Sequence, residues 1–150
     1  MKKITPFLWF DKEAEEAMNF YVSLFKNSKA LGVSRGPDGK AFTVSFELDG
    51  QEFMGLNAGP MFKFNEAVSM YVDCQDQAEV DYFWNALSAV PESESCGWCK
   101  DKYGLSWQII PKQLGQLLGD PDPEKSQRVM QAMLKMQKIV VADLQKAHKG

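Results

Sequence analysis

The order of apolar and polar positions predicts a strand and then a helix at the beginning of the chain. From Ile4 to Phe10 the positions alternate around Pro6, which is typical of a strand with two different faces. Asp11 then begins a segment in which apolar residues fall at helical spacing as far as Phe25. We therefore expect an amphipathic helix that packs on one face of the first strand.

Three further strands are predicted after this helix, at Lys29–Arg35, Ala41–Leu48 and Gln51–Asn57. They are separated by Gly36-Pro37-Asp38-Gly39 and by Asp49-Gly50, and both sequences are strong turn signals. The first part of the chain therefore predicts a strand, a helix and then three more strands.

The middle strand of these three alternates between apolar and polar residues. Its apolar face carries Phe42, Val44, Phe46 and Leu48, and its polar face carries Thr43, Ser45 and Glu47. Because successive side chains of a strand point to opposite faces, the apolar set is expected to pack on the helix. The polar set then lines a cleft on the concave side of a curved sheet.

The same pattern begins again after residue 60. The second copy is predicted to have a strand at 68–72, a helix at 75–89, a weak strand at 92–95, and strands at 97–101 and 105–110. Asp73 matches Asp11, and Gly104 matches Gly50. Repetition at a fixed offset is evidence about architecture. We predict an α+β fold with one domain at 1–111, made of two βαβββ modules at about 1–60 and 61–111.

Residues 112–150 are predicted to form a C-terminal helical extension. A short helix is expected at 113–118, and a second one begins where Asp122 can cap and Pro123 can take the first helical position. Methionines on its apolar stripe favour packing over a ligand site, since flexible thioethers fill irregular gaps. This apolar surface predicts a homodimer.

Composition excludes several partners. The chain has 150 residues and a formal net charge of −3, with no basic stripe of the kind that follows a nucleic-acid backbone. Neither a signal peptide nor a membrane span is recognisable, so neither nucleic acid nor a membrane is an expected partner. Three cysteines, an odd number, favour a reduced cytoplasmic protein.

Two of the cysteines have the spacing of a redox pair, in Cys96-Gly97-Trp98-Cys99. The redox mechanism needs the first cysteine at a helix N-terminus, which lowers its pKa, whereas this pair lies on a predicted strand. Residues three apart in a strand also point to opposite faces. We therefore predict two ordinary thiols without redox activity.

Several segments resemble one known family. They are Ile4-Thr5-Pro6-Phe7-Leu8-Trp9-Phe10, Glu16-Ala17-Met18-Asn19-Phe20-Tyr21, Cys96-Gly97-Trp98 through Pro111, Asp120-Pro121-Asp122-Pro123 and Ala132-Met133-Leu134-Lys135-Met136. Together they resemble the PhnB-like branch of the vicinal oxygen chelate superfamily, which includes glyoxalase I, bleomycin-resistance proteins and extradiol dioxygenases. The resemblance implies the same fold of two βαβββ modules.

The resemblance also implies where a catalytic metal would bind, but the ligands have been replaced. Superfamily enzymes use His and Glu from the first and last strands of each module. The corresponding positions here are Thr5 or Pro6, Ala67, Phe53 or Met54, and Gln108. None is a strong ligand, and the one histidine lies in the C-terminal tail. We therefore expect neither a metal nor another cofactor.

The branch is often labelled demethylubiquinone methyltransferase-like. Adenosyl methyl donors usually bind at a glycine-rich turn between a strand and a helix, and no G-x-G-x-x-G run occurs. On physical grounds we therefore reject methyl transfer as the function of this chain. A mostly apolar cleft with a few amides and hydroxyls suits a small, partly aromatic or amphipathic ligand instead. The residues expected to line it are Phe7, Trp9, Glu47, Asn57, Ser69, Tyr71, Trp98, Trp107 and Gln108.

Three functions stay open at this point. The first is a metal-free small-molecule-binding protein, or an enzyme whose chemistry needs no bound metal. The second is a metal-dependent lyase or dioxygenase of the superfamily with replaced ligands. The third is a dimeric scaffold whose cleft has lost its ligand. The sequence names no substrate and assigns no catalytic residue.

Overall fold

The computed structural model describes residues 2–150, which fall into two compact units at 2–64 and 65–150. Each unit contains a small β-sheet with one helix packed on one face. The predicted α+β fold is confirmed. Each unit begins with a strand followed by a helix, and the C-terminal tail is helical. No helix within residues 2–150 is long and apolar enough to cross a membrane.

The first unit contains a four-stranded sheet and one helix. Its elements are β1 (Phe7–Phe10), α1 (Ala14–Leu24), β2 (Lys29–Arg35), β3 (Ala41–Leu48) and β4 (Gln51–Asn57). The strand order is β1-β4-β3-β2, with β1 parallel to β4 and the other pairs antiparallel. The bounds predicted for β2, β3 and β4 are confirmed. β1 is shorter than predicted, and Ile4, three residues before it, is 84% exposed.

The core of the first unit lies between α1 and the sheet. Val44, Phe46 and Leu48 are buried, as their alternation predicted, and the Phe46 and Phe53 rings stack at 5.4 Å between centroids. Phe42 differs from this prediction, because its side chain is 55% exposed. The paired region of β3 and β4 begins only at Thr43, so Phe42 lies beyond the packed part of the sheet.

The second unit contains a three-stranded sheet, a helix on one face and the helical tail. Its elements are β5 (Ser69–Cys74), α2 (Gln77–Leu87), β6 (Trp98–Lys100), β7 (Ser106–Pro111), α3 (Lys112–Leu118), α4 (Pro123–Met133) and α5 (Val141–Lys149). The order is β5-β7-β6, with β7 parallel to β5 and antiparallel to β6. Val80, Phe83, Trp84 and Leu87 form the buried face of α2.

The weak strand predicted at 92–95 is wrong. Pro91–Ser93 is a short 3₁₀ helix, in which Glu94 N donates to Pro91 O at 3.2 Å. Proline has no backbone N–H to donate to a sheet and fixes φ near the helical value, so it favours this turn. Only Ser95 keeps strand-like pairing, through one isolated bridge to Trp98.

The C-terminal tail packs within the second unit. Its core cluster consists of Ile110, Leu114, Val129, Ile139 and Leu144. Asp122 caps α4 by accepting from Glu124 N at 2.9 Å, and Pro123 follows as its first residue, as predicted.

The segment between α4 and α5 is bonded to the turn before β6. Cys96 N and Gly97 N donate to the carbonyls of Met136 and Gln137, each at 2.8 Å. Gly97 has φ +86°, and a Cβ there would lie 2.6 Å from the side chain of Ile110. Because this backbone must pass so close to β7 and the tail, only glycine fits.

A buried carboxylate organises the turn between β6 and β7. Asp101 is 1% exposed, and its Oδ1 accepts from the backbone N–H groups of Tyr103 at 2.9 Å and Leu105 at 3.0 Å. Its Oδ2 accepts from the indole Nε1 of Trp107 at 2.8 Å. Such a charge is tolerated in the interior because several donors replace its water.

We expect Asp101→Asn to destabilise the protein. The amide places an NH₂ group where one of three N–H donors needs an acceptor, so the free energy of unfolding should fall by roughly 3 kcal/mol. Chemical denaturation measures this. Asp73→Asn is the matched control, because Asp73 is an exposed strand residue of the same unit. Equal stability of the two variants would contradict the role given to Asp101.

Candidate functional site

On the first sheet, Phe7 and Trp9 lie on the face opposite α1. Their neighbours along β1, Leu8 and Phe10, are buried toward the helix, so alternation fixes the outward direction. The indole Nε1 of Trp9 donates to Gly59 O at 2.9 Å. Phe7 is 52% exposed. This face therefore combines one exposed ring with one ring whose polar atom already has a partner.

Glu47 lies on the same face, at its polar edge. It is directly opposite Glu52 on β4 and directly opposite Lys29 on β2. Two carboxylates directly opposite one another destabilise a sheet, and a neighbouring ammonium reduces the repulsion. The arrangement supplies hydrogen-bond acceptors and negative charge.

The structure places Asn57 on the α1 face, which corrects its expected position in the cleft. Asn57 pairs in register with the buried Phe10. Its Oδ1 accepts from Ala14 N at 2.8 Å, and its Nδ2 donates to Ala41 O at 3.0 Å. The side chain therefore ties the first residue of α1 to the start of β3. Alternation along β4 already favours this face, since Asn57 lies four residues after the buried Phe53. The amide was expected in the cleft because it suits a ligand as well as a cap.

An open depression of about 970 Å³ adjoins Asn57, between the start of α1 and the β2–β3 hairpin. Arg35 crosses it and pairs with Glu15, with Nη2 to Oε2 at 2.7 Å and Nη1 to Oε1 at 3.2 Å. The hydrogen bond and charge of Glu15 raise the pKa of Arg35. Two of the charged residues that line this depression, Arg35 and Glu15, are therefore paired with each other.

On the second sheet, four predicted site residues share the face opposite α2. Tyr71 and Trp98 are each directly paired with Gln108, on either side of β7. The Gln108 Nε2 donates to Ser69 Oγ at 3.0 Å. Tyr71 is 60% exposed, and its partial burial and then the nearby Asp73 carboxylate raise the pKa of its phenol. The phenol therefore stays protonated at neutral pH, and the face presents aromatic rings, an amide and a hydroxyl.

Trp107 lies on the α2 face instead, which corrects its expected position in the cleft. It precedes Gln108 on β7 and therefore points the other way. Its side chain is 3% exposed, and its indole N–H is held by Asp101. Sequence reasoning placed both neighbours in the cleft because each side chain suits a ligand, although one strand cannot direct both to the same face.

Two further residues of this face were missed. Ser106 is directly paired with Ser69 on β5 and with Lys100 on β6. Lys100 Nζ contacts Glu66 Oε1, and this contact lowers the pKa of Glu66. The signal was present in the sequence, since Ser106 lies two residues before Gln108 on the same strand face.

The residues present do not fit a catalytic metal of the kind that the superfamily resemblance implies. Met54 and Gln108 point away from the helices, but a thioether and an amide are weak ligands for Zn, Ni or Fe. Within residues 2–150, no group of three or more His, Cys, Asp or Glu side chains is arranged to hold an ion. The histidine, His148, lies with its Nε2 2.7 Å from Asp120 Oδ2, between α5 and the α3–α4 turn.

The cysteines are free thiols in the structure. Cys74 and Cys99 are buried, and desolvation raises the pKa of each to about 12. Thiolate is the reactive form, so neither residue is an effective nucleophile at neutral pH. Absence of redox activity from Cys96 and Cys99 stays a prediction.

We expect the purified protein to contain no stoichiometric Ni, Zn, Mn or Fe, and added metal not to raise its melting temperature. Gln108→Glu supplies one hard ligand without imidazole partners, so metal should stabilise this variant by less than about 1 kcal/mol. Elemental analysis and thermal denaturation measure both. Gln116→Glu, on the exposed face of α3, is the control. About one bound metal per chain in the unmodified protein would contradict the conclusion that the side chains present do not fit a catalytic metal.

A protein-family model described as 3-demethylubiquinone-9 3-methyltransferase matches residues 2–110. The match covers both sheets up to Ile110 and ends before α3. No curated protein matches the chain.

Solved structures resemble the chain over about three quarters of its length. One is a PhnB protein from Bacillus cereus, named as a proposed 3-demethylubiquinone-9 3-methyltransferase, with 38% identity, a TM-score of 0.65, and coverage of 73% of this chain and 99% of that one. The protein PA1353 from Pseudomonas aeruginosa has 17% identity and a TM-score of 0.56, covering 74% of this chain and 98% of its own. The second likeness shows a shared fold alone.

Proposed function

The chain belongs to the family described as 3-demethylubiquinone-9 3-methyltransferase, the PhnB-like branch of the glyoxalase and bleomycin-resistance superfamily, and we propose that it binds a small aromatic molecule without a metal. The binding surface is the face of the second sheet opposite α2, called here the Gln108 face. It consists of Ser69, Tyr71, Trp98, Lys100, Ser106 and Gln108.

One observation carries this proposal. Two aromatic side chains, Tyr71 and Trp98, lie on either side of a hydrogen-bonded amide and hydroxyl, Gln108 and Ser69, on one sheet face. Aromatic rings provide apolar contact at low entropic cost, and a few fixed polar groups set orientation. The packed tail holds β7 in place through Ile110, two residues after Gln108.

The connections between strands and helices argue against methyl transfer. Adenosyl methyl donors are commonly held at a glycine-rich turn that joins a strand to a helix. The strand-to-helix connections here are Asp11-Lys12-Glu13 in the first unit and Gln75-Asp76 in the second, where β7 also runs directly into α3 at Pro111-Lys112. None of the three contains glycine. Asp76 instead caps α2 by accepting from Glu79 N at 3.0 Å, which occupies an N–H that a ribose or carboxylate oxygen of such a donor could use. We therefore do not extend the family's description to this chain's activity.

We expect benzamide, a neutral aromatic amide, to bind the Gln108 face at millimolar concentration. In ¹H–¹⁵N spectra the indole signal of Trp98 should move, while the signals of the buried Trp84 and Trp107 should stay. Tyr71→Ala should weaken binding by about three- to tenfold, because one aromatic contact is lost.

The matched control is Tyr82→Ala, which removes another half-exposed tyrosine, on α2 of the same unit. It should leave benzamide binding unchanged. A Trp98 signal that does not move, or equal weakening by the two variants, would show that the Gln108 face is not the binding surface.

A second proposal concerns assembly: we infer that the protein forms a homodimer. Several large apolar side chains are more than half exposed, namely Ile4, Met61, Phe62, Val68 and Leu134. Exposed apolar surface of this kind favours burial against a second copy. Sedimentation equilibrium at micromolar concentration should give twice the chain mass, and a clean monomer would contradict the proposal.

The free thiols support a reducing location such as the cytoplasm. All three cysteines are unpaired, and two of them are buried. Secreted proteins of this size usually pair their cysteines.

A further inference from the structure

We propose that the Gln108 face binds the carboxylate of an aromatic acid, through Ser106, Ser69 and Lys100. The proposal rests on the proposed function and deepens it, because it names the chemical class of the ligand. The rings of Tyr71 and Trp98 would contact the aromatic part, and the three donors would bind its oxygens.

The register of the second sheet places the three donors in one row. Ser106 on the central strand has Ser69 directly opposite on β5 and Lys100 directly opposite on β6. Directly paired residues direct their side chains to the same face. The row therefore consists of two hydroxyls and one ammonium, which all can donate to an oxygen between them.

Ser106 gives the independent reason to expect a ligand. The residue is 1% exposed, and within the described chain its hydroxyl has no hydrogen-bond partner. A buried hydroxyl without a partner costs free energy, and nearly all such groups in proteins are satisfied. A ligand oxygen in this row would supply the missing acceptor.

The hydrogen bonds already made in the row favour a ligand that accepts. Ser69 Oγ already accepts from Gln108 Nε2 at 3.0 Å, so the Ser69 hydroxyl keeps its own proton to donate. Lys100 has three donors, and its Nζ contacts one oxygen of Glu66. A carboxylate, with two oxygens and several lone pairs, matches these unused donors.

The local charges are compatible with an anion at this end of the face. Glu66, the partner of Lys100, has a side chain that is 63% exposed, whereas that of Lys100 is 21% exposed. Solvent screens the exposed carboxylate of this pair, and the ammonium has two further N–H donors that a ligand can use. Asp73, a carboxylate on the same side of the sheet, lies outside the Gln108 face, four residues along β5 from Ser69 and beyond Tyr71.

Benzoate and benzamide distinguish the proposal from the proposed function. They share the ring, but only benzoate carries the charge. Benzoate should bind at least about tenfold more tightly, since hydrogen bonds to charged groups are the stronger ones. Equal affinity would overturn the carboxylate inference and leave the aromatic site standing, whereas failure of both probes to move the Trp98 signal would overturn both.

Two variants test the row. Lys100→Met should weaken benzoate by about tenfold or more and leave benzamide within about twofold. Ser106→Ala should weaken benzoate similarly, yet raise the melting temperature of the ligand-free protein, because a buried unpaired hydroxyl is removed. A merely structural serine would not combine higher stability with weaker binding.

The controls are Lys102→Met, an exposed lysine of the β6–β7 turn, and Ser23→Ala, an exposed serine on α1. Neither should change the affinity for benzoate. If Ser106→Ala binds benzoate as well as the unmodified protein does, or if Lys102→Met weakens it as much as Lys100→Met, the proposal is wrong.

Discussion

The buried carboxylate of Asp101 is the constraint on which the second sheet depends. It holds the backbone of Tyr103 and Leu105 in the turn and the indole of Trp107 on the following strand. These three bonds fix where β7 begins relative to β6. Because a shift of one residue turns every side chain to the other face, they also decide that Gln108 points away from α2.

The alternation of side chains along each strand also decides which aromatic residues of the sheet pack in the core and which face the proposed binding surface. Trp107 serves the core, while Trp98 on the neighbouring strand shares the opposite face with Gln108. The first unit uses the same rule, with Leu8 and Phe10 toward α1 and Trp9 away from it. In each unit one residue that was expected to contact a ligand stabilises the fold instead. This residue is Asn57 in the first unit and Trp107 in the second.

Much of the candidate surface could be predicted, because alternation along a strand is a local property of the sequence. Tyr71, Trp98 and Gln108 were among the residues expected to line the cleft, and the structure places them on one face, as alternation along each strand requires. The two-residue spacing from Gln108 already favours this face for Ser106, but the significance of Ser106 and Lys100 comes from pairing across strands and from an unsatisfied hydroxyl. Neither property can be read from a single segment, since both depend on which strands are neighbours.

The sequence by itself determined the strands from residue 29 to residue 57, the helix start at Asp122 and Pro123, and the replacement of strong metal ligands. Turn residues, caps and alternating faces act over a few residues, so these features survive without tertiary information. Tertiary structure alone decided that residues 91–93 form a 3₁₀ helix and that the tail packs on Ile110. It also decided which donors of the Gln108 face lie in one row. These outcomes depend on long-range packing and register, where a distant partner chooses between locally similar alternatives.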